Sequence, residues 1–158
     1  MSRILDSLDI WTDGGARPND GTGKGGWGCV ILEPITEYRI SGGENKTTNN
    51  RMELRAVIVA LGFACLSKKY RIHTDSLLTI KCAQRLWKRN VNLDMWKEYD
   101  TIAAGKNIEY IKVKGHSGLK YNEVCDALAT REICGRDSPR EAQLLRSKHR
   151  NKKWYILA

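Results

Sequence analysis

Tyr70-Arg71-Ile72-His73-Thr74-Asp75-Ser76 is the stretch that decides the fold. Its first five residues read as a short strand, and Asp75-Ser76 end that strand and cap an amphipathic helix running to about Trp87. Past Lys88-Arg89-Asn90-Val91-Asn92, a shorter helix is expected around Met95 to Ala103, and then a strand at Ile108-Glu109-Tyr110-Ile111-Lys112-Val113. This is a strand–helix–strand arrangement, the mark of an α/β protein.

Upstream, Leu8-Asp9-Ile10-Trp11-Thr12 alternates apolar and polar before a glycine-rich turn. Trp27 to Leu32 and Tyr38 to Ser41 flank a turn at Pro34, which reads as a hairpin. Thr47, Thr48, Asn49 and Asn50 suit a helix cap and lead into the helix formers Glu53 to Leu61. Asn122 to Glu132 looks helical again. The expected order is βββαβααβα, a five-stranded mixed sheet with helices on both faces. Beyond it, Gly135-Arg136-Asp137 breaks the pattern and Ser138-Pro139-Arg140-Glu141 starts a final short helix. That helix ends in the basic run Arg146 to Lys153, read either as a solvated tail or as a phosphate-contacting arm. Residues 1–135 are therefore expected to form one domain, with 136–158 a basic helical extension of it.

The totals fit this plan. A chain of 158 residues, 41% hydrophobic and 28% charged, suits one core. No apolar run approaches the roughly 20 residues of a membrane helix, and the N-terminus lacks a secretory pattern, so a cytoplasmic protein is expected. The five cysteines are odd in number and form no C-x-x-C pair, which argues against zinc and for small core residues. Trp11 and Trp27 are expected in the core. Gly21 to Gly26 satisfies G-x-G-x-x-G, but it precedes a strand instead of opening a helix, so a dinucleotide site is discounted.

A formal charge of +9 attracts a polyanion. Against that background stand four carboxylates in short motifs: Asp13 in Trp11-Thr12-Asp13-Gly14-Gly15, Glu53 in Asn49-Asn50-Arg51-Met52-Glu53, Asp75 in His73-Thr74-Asp75-Ser76, and Asp126 in Asn122-Glu123-Val124-Cys125-Asp126. Each falls at or near the end of an element, and such ends converge in α/β folds. Four clustered carboxylates repel one another and repel phosphate unless divalent cations lie between them. Hard oxygen donors suit Mg²⁺, with Mn²⁺ able to substitute, and two such ions suit phosphodiester hydrolysis.

Thr12-Asp13-Gly14, Thr48-Asn49-Asn50-Arg51-Met52-Glu53-Leu54, Thr74-Asp75-Ser76 and Val113-Lys114-Gly115-His116, followed by Asn122-Glu123 and Cys125-Asp126, fall in one order over about residues 8 to 133. That ordered set resembles type 1 ribonuclease H. The resemblance implies a ribonuclease H-like fold and a monomeric endoribonuclease that cuts the RNA strand of RNA–DNA hybrids, leaving 5′-phosphate and 3′-hydroxyl ends, in primer or R-loop removal. It implies that Asp13, Glu53, Asp75 and Asp126 hold two Mg²⁺ ions, and that His116 assists proton transfer or product release. It further implies that Gly14, Gly15, Asn49, Asn50 and Ser76 face the hybrid, and that Asn19 and Thr48 hold a DNA-strand phosphate, although Thr48 also reads as an ordinary cap.

Two departures stand out. Leu77 replaces a glutamine of many relatives, and only Leu86 to Leu93 occupies the place of a basic protrusion, so the chain resembles the form lacking it. A non-cleaving hybrid-binding module, a resolvase-like nuclease and a reverse-transcriptase domain are the competing readings. The joint presence of four acids and His116 argues against the first, Asn49-Asn50 before Glu53 and Gly115-His116 before Asp126 against the second. The N-terminal Met and short leader favour an independent gene product over the third.

Overall fold

The computed structural model describes residues 4–115 and 118–135. The strands are β1 (Leu8–Arg17), β2 (Gly23–Leu32), β3 (Glu37–Thr47), β4 (Tyr70–Thr74) and β5 (Ile108–Lys112), and the helices are α1 (Asn49–Phe63), α2 (Leu77–Ala83), α3 (Leu93–Ala103) and α4 (Lys120–Cys134). Their order is the βββαβααβα expected from the sequence. One sheet runs β3-β2-β1-β4-β5. The first three strands are antiparallel, while β4 joins β1, and β5 joins β4, in parallel. His116, Ser117, the helix expected from Ser138 and the basic run lie outside the described residues. No described helix is long and apolar enough to cross a membrane.

Inward-facing residues alternate along the strands. Leu8, Ile10, Ile31, Ile40, Tyr70 and Ile72 bury one sheet face under α1 and α3 in a core that includes Met52, Val57, Leu61, Met95 and Trp96. The other face packs Val30 against Val124, Cys125, Ala127 and Leu128 of α4. Cys29, Cys82 and Cys125 are buried as expected, while Cys134 is exposed and Cys65 half-buried. Trp27 is buried but Trp11 only partly, with its ring stacked on His73 at 4.1 Å.

Three elements differ from their sequence-based bounds. β1 runs straight through Gly14-Gly15 and β2 starts at Gly23, so the glycines read as a turn are strand residues. Glycine is a poor strand former, and it persists here because other backbone comes too close for a Cβ. A Cβ on Gly14 would lie 2.5 Å from the amide nitrogen of Glu53, and one on Gly28 would lie 2.6 Å from Leu128 Cβ and 2.8 Å from the Cys125 carbonyl oxygen. α2 stops at Ala83, short of Trp87, because Arg85 takes a left-handed conformation and the amides of Leu86 and Trp87 turn back to the Lys81 carbonyl.

α4 is seated by polar contacts as well. Ser41 of β3 donates to Glu132 at 2.8 Å and accepts from Arg131 at 3.1 Å, and beside them Arg39 donates to Glu37 at 2.6 Å in a fully buried ion pair. Replacing Gly28 with valine would force α4 off β2. Overpacking of this kind costs about 1–3 kcal/mol or more, so urea unfolding of Gly28→Val is expected to show a loss of at least about 2 kcal/mol. A stability matching the parent protein would contradict the close seating.

Candidate active site

The carboxylates meet where the strands part. β4 pairs with β1 only over Leu8 to Trp11, so Asp13 lies just past the last paired residue, and Asp75 lies just past the end of β4. A gap between two parallel strands at their carboxyl ends is where α/β proteins place ligands. Glu53 reaches this gap from the second turn of α1, which the clearance at Gly14 draws onto β1. Asp13 pairs across the hairpin with Gly28, and the clearance there brings the turn of α4 holding Cys125 and Asp126 to the same place.

Oxygen atoms of Asp13, Glu53 and Asp75 lie within 4.8 Å of one another. Asp126 lines the same cleft, of about 340 Å³, together with Gly14, Gly15, Ala16, Arg17, Asn49, Ala129, Thr130 and Ile133. Asp13 and Glu53 are buried, Asp75 and Asp126 half-buried. The Gly14 amide donates to Asp13 Oδ1 at 2.9 Å, whereas Glu53 Oε2 is buried with no hydrogen-bond partner among the described residues.

Burial, and then the charges of Asp75 and Asp126, push the Asp13 carboxyl from its ordinary 3.8 up to about 7. Burial, and then Asp13 and Asp75, push Glu53 well above the usual carboxylate range. Charge crowded into a desolvated site with an unpartnered oxygen is what a divalent cation relieves. All the donors are hard oxygens, so the set fits Mg²⁺ or Mn²⁺ better than a thiol- or imidazole-seeking ion.

The expected substrate-facing residues divide. Gly14, Gly15 and Asn49 line the carboxylate cleft. Asn49 Oδ1 accepts from the Ala16 amide at 2.6 Å, and the Asn49 amide donates to Asn19 Oδ1 at 2.8 Å, so Asn19 is tied to the start of α1. Thr48 is the N-cap of α1, its hydroxyl accepting from the Arg51 amide at 3.3 Å. Ser76, next to Asp75, caps α2 and accepts from the Thr79 amide. Asn50 is exposed and faces a separate hollow beside Leu78, Thr79 and Asn92.

Arg17, Ala129, Thr130 and Ile133 also line the cleft and were not singled out in the sequence. The signal for three of them was present, because 126, 129, 130 and 133 follow the i, i+3, i+4, i+7 spacing of one helix face. Arg17 had its own signal: it shares strand alternation with Asp13.

A family model described as RNase H matches residues 6–134. A ribonuclease H of Thermoanaerobacter sp. (strain X514) is 40% identical over 147 residues, spanning 84% of this chain and 94% of that protein. One of Nitrosococcus oceani is 41% identical over 145 residues, spanning 82% and 96%. Among solved structures, LC9-RNase H1, described as a type 1 RNase H with the type 2 active-site motif, superposes with a TM-score of 0.71 at 27% identity, over 93% of this chain and 84% of that one. LC11-RNase H1 in complex with RNA/DNA hybrid superposes with a TM-score of 0.66 at 25% identity, over 81% and 97%.

The raised carboxyl of Asp13 has a consequence for stability. A carboxyl that holds its proton more tightly folded than unfolded contributes fully below about 3.8 and loses that contribution as pH rises through about 7. In a chelator, thermal melting of the parent protein is expected to fall between about pH 4 and about pH 7, more steeply than that of Asp13→Asn. Added Mg²⁺ is expected to restore the parent at the alkaline end and to help Asp13→Asn less. Parallel melting curves for the two proteins would refute the repulsion.

Proposed function

The chain belongs to the ribonuclease H family, hydrolases acting on the RNA of RNA–DNA hybrids, and we propose that it is an endoribonuclease that uses two bound metal ions and leaves 5′-phosphate and 3′-hydroxyl ends. The observation that carries the finer reading is the carboxylate cluster of buried Asp13 and Glu53 with half-buried Asp75, and Asp126 lining the same cleft. In this reading those four residues hold Mg²⁺. The ions, when bound, supply Lewis-acid stabilisation of charge developing on the phosphate.

The protein's own part is positioning. Asp13 sits on a rigid strand with one oxygen fixed by the Gly14 amide, and Glu53 keeps a lone oxygen turned into the site. The Asn49 side-chain oxygen is occupied by Ala16, so its amide hydrogens are free of that bond and suit acceptors such as the 2′-hydroxyls displayed in a hybrid's minor groove. α1 carries no acid in its first turn, and its positive end beside Thr48 and Asn19 suits a phosphate of the DNA strand. Asn50 and Ser76 flank that surface. His116, which lies outside the described residues, completes the set by moving a proton or aiding product release. The protein works as a cytoplasmic monomer on RNA primers or R-loops, its 1–135 portion being the catalytic unit and 136–158 its basic extension.

The test is cleavage of an end-labelled RNA–DNA hybrid with Mg²⁺, with single-stranded RNA and duplex DNA as controls. The parent protein is expected to cut only the hybrid's RNA strand, and Asp13→Asn to lose at least about a hundredfold in rate, the scale on which one transition-state charge contact is felt. Product ends are read by their response to phosphatase and to poly(A) extension. Tight hybrid binding without cutting would leave a binding module, and cutting of branched DNA would leave a resolvase.

A further inference from the structure

Arg17 is the last residue of β1, and among the described residues it is the one cation lining the carboxylate cleft. Strand alternation sends Asp13, Gly15 and Arg17 to the same face of the sheet. Four residues at about 3.3 Å each put Arg17 about 13 Å along the strand from Asp13. Across the hairpin its direct partner is Lys24, so two cations stand side by side on that face. Like charges directly opposed weaken a sheet.

Six other arginines among the described residues are neutralised. Arg39, Arg51, Arg55, Arg71, Arg85 and Arg89 each meet a carboxylate. Among the described residues Arg17 and Lys24 meet none. Arg17 Nη1 donates to Cys134 Sγ at 3.6 Å, a weak neutral acceptor in the last turn of α4. That contact holds the guanidinium at the cleft wall without cancelling its charge. A paired, uncompensated cation site at the mouth of an acidic cleft asks for an anion.

Resting on the ribonuclease reading, we infer that Arg17 and Lys24 clamp a backbone phosphate of the cut RNA strand, on the flank of the scissile phosphate. The cluster of acids repels every phosphate that bound cations do not neutralise, and the clamp lies just beyond it on the same wall. Its backbone lies about 13 Å along the strand from Asp13, so the clamp meets a phosphate neighbouring the one that the acids address. An arginine also matches phosphate with two parallel donors, which fixes the strand's orientation as it enters the site.

The test uses the full chain with Arg17→Ala, Lys24→Ala, the double variant and Arg17→Lys, measuring KM and kcat on a hybrid across a salt series, with thermal melting alongside. Each alanine variant is expected to raise KM about three- to tenfold and to lower the salt dependence of log(kcat/KM) by about one unit of slope, the double variant by about two. kcat is expected to move less than KM, and Arg17→Lys to keep most of the slope. KM and salt slope equal to those of the parent would overturn the clamp while leaving the ribonuclease reading intact. A lower melting temperature with an unchanged slope would overturn it too, since Arg17 would then serve only the carboxyl end of α4. A parent protein that does not cut the hybrid removes the ribonuclease reading, and the clamp with it.

Discussion

Three carboxylates, Asp13, Glu53 and Asp75, are held within 4.8 Å of one another against their own repulsion, with Asp126 lining the same cleft, and backbone clearance is what allows it. Gly14 and Gly28 have no Cβ, so α1 can rest on one face of the sheet and α4 on the other at adjacent positions of one hairpin. Asp13 pairs with Gly28 and precedes Gly14, and so it stands at the point both helices reach. Any side chain at those two glycines would push a helix back and withdraw Glu53 or Asp126. The cost of gathering the charges is met by packing spread over the two cores rather than by local contacts at the site itself.

That division explains the polar seam under α4. A wholly apolar interface would let a helix slide by a turn at little cost, whereas hydrogen bonds between Ser41 and both Arg131 and Glu132 exist in only one register. The buried pair of Arg39 with Glu37 adds little net stability, because desolvation offsets attraction, but losing either partner leaves a bare buried charge. Such a pair penalises wrong packings more than it rewards the right one. A helix whose rotation sets the direction of Asp126 benefits from that selectivity.

The element order was legible because the apolar periods of strands and helices are distinct here, and the four acids were legible because each sits in a short motif at an element end. The strand character of Gly14-Gly15 and Gly23 to Gly26 was not, since local propensity argues for a turn and only the distant helices α1 and α4 explain the glycines. The early end of α2 was hidden for a similar reason. Arg89 donates to the Cys82 carbonyl at 2.9 Å and lies over the Trp96 ring at 4.3 Å, contacts across elements that no window of α2 contains. Trp11 was expected inside, and its half-exposed stack on His73 follows from a sheet face that α4 covers only over β1 to β3.

The charge of the chain can now be divided by purpose. Much of its positive charge among the described residues is spent internally, with Arg51 and Arg55 tying α1 to Asp94 and Glu98 on or beside α3, and Arg85 and Arg89 gripping Asp100. The acids of these pairs are exposed, so the pairs contribute little to stability, and their larger effect is to remove those arginines from the attractive field. A polyanion then meets a surface whose charge is carried mainly by lysines, and beside the cleft stand Arg17, which lines it, and its cross-strand partner Lys24. Net charge acts on a polyanion over the whole surface, whereas a local pair of unneutralised cations acts at one place, and Arg17 and Lys24 set that place on the same sheet face as Asp13.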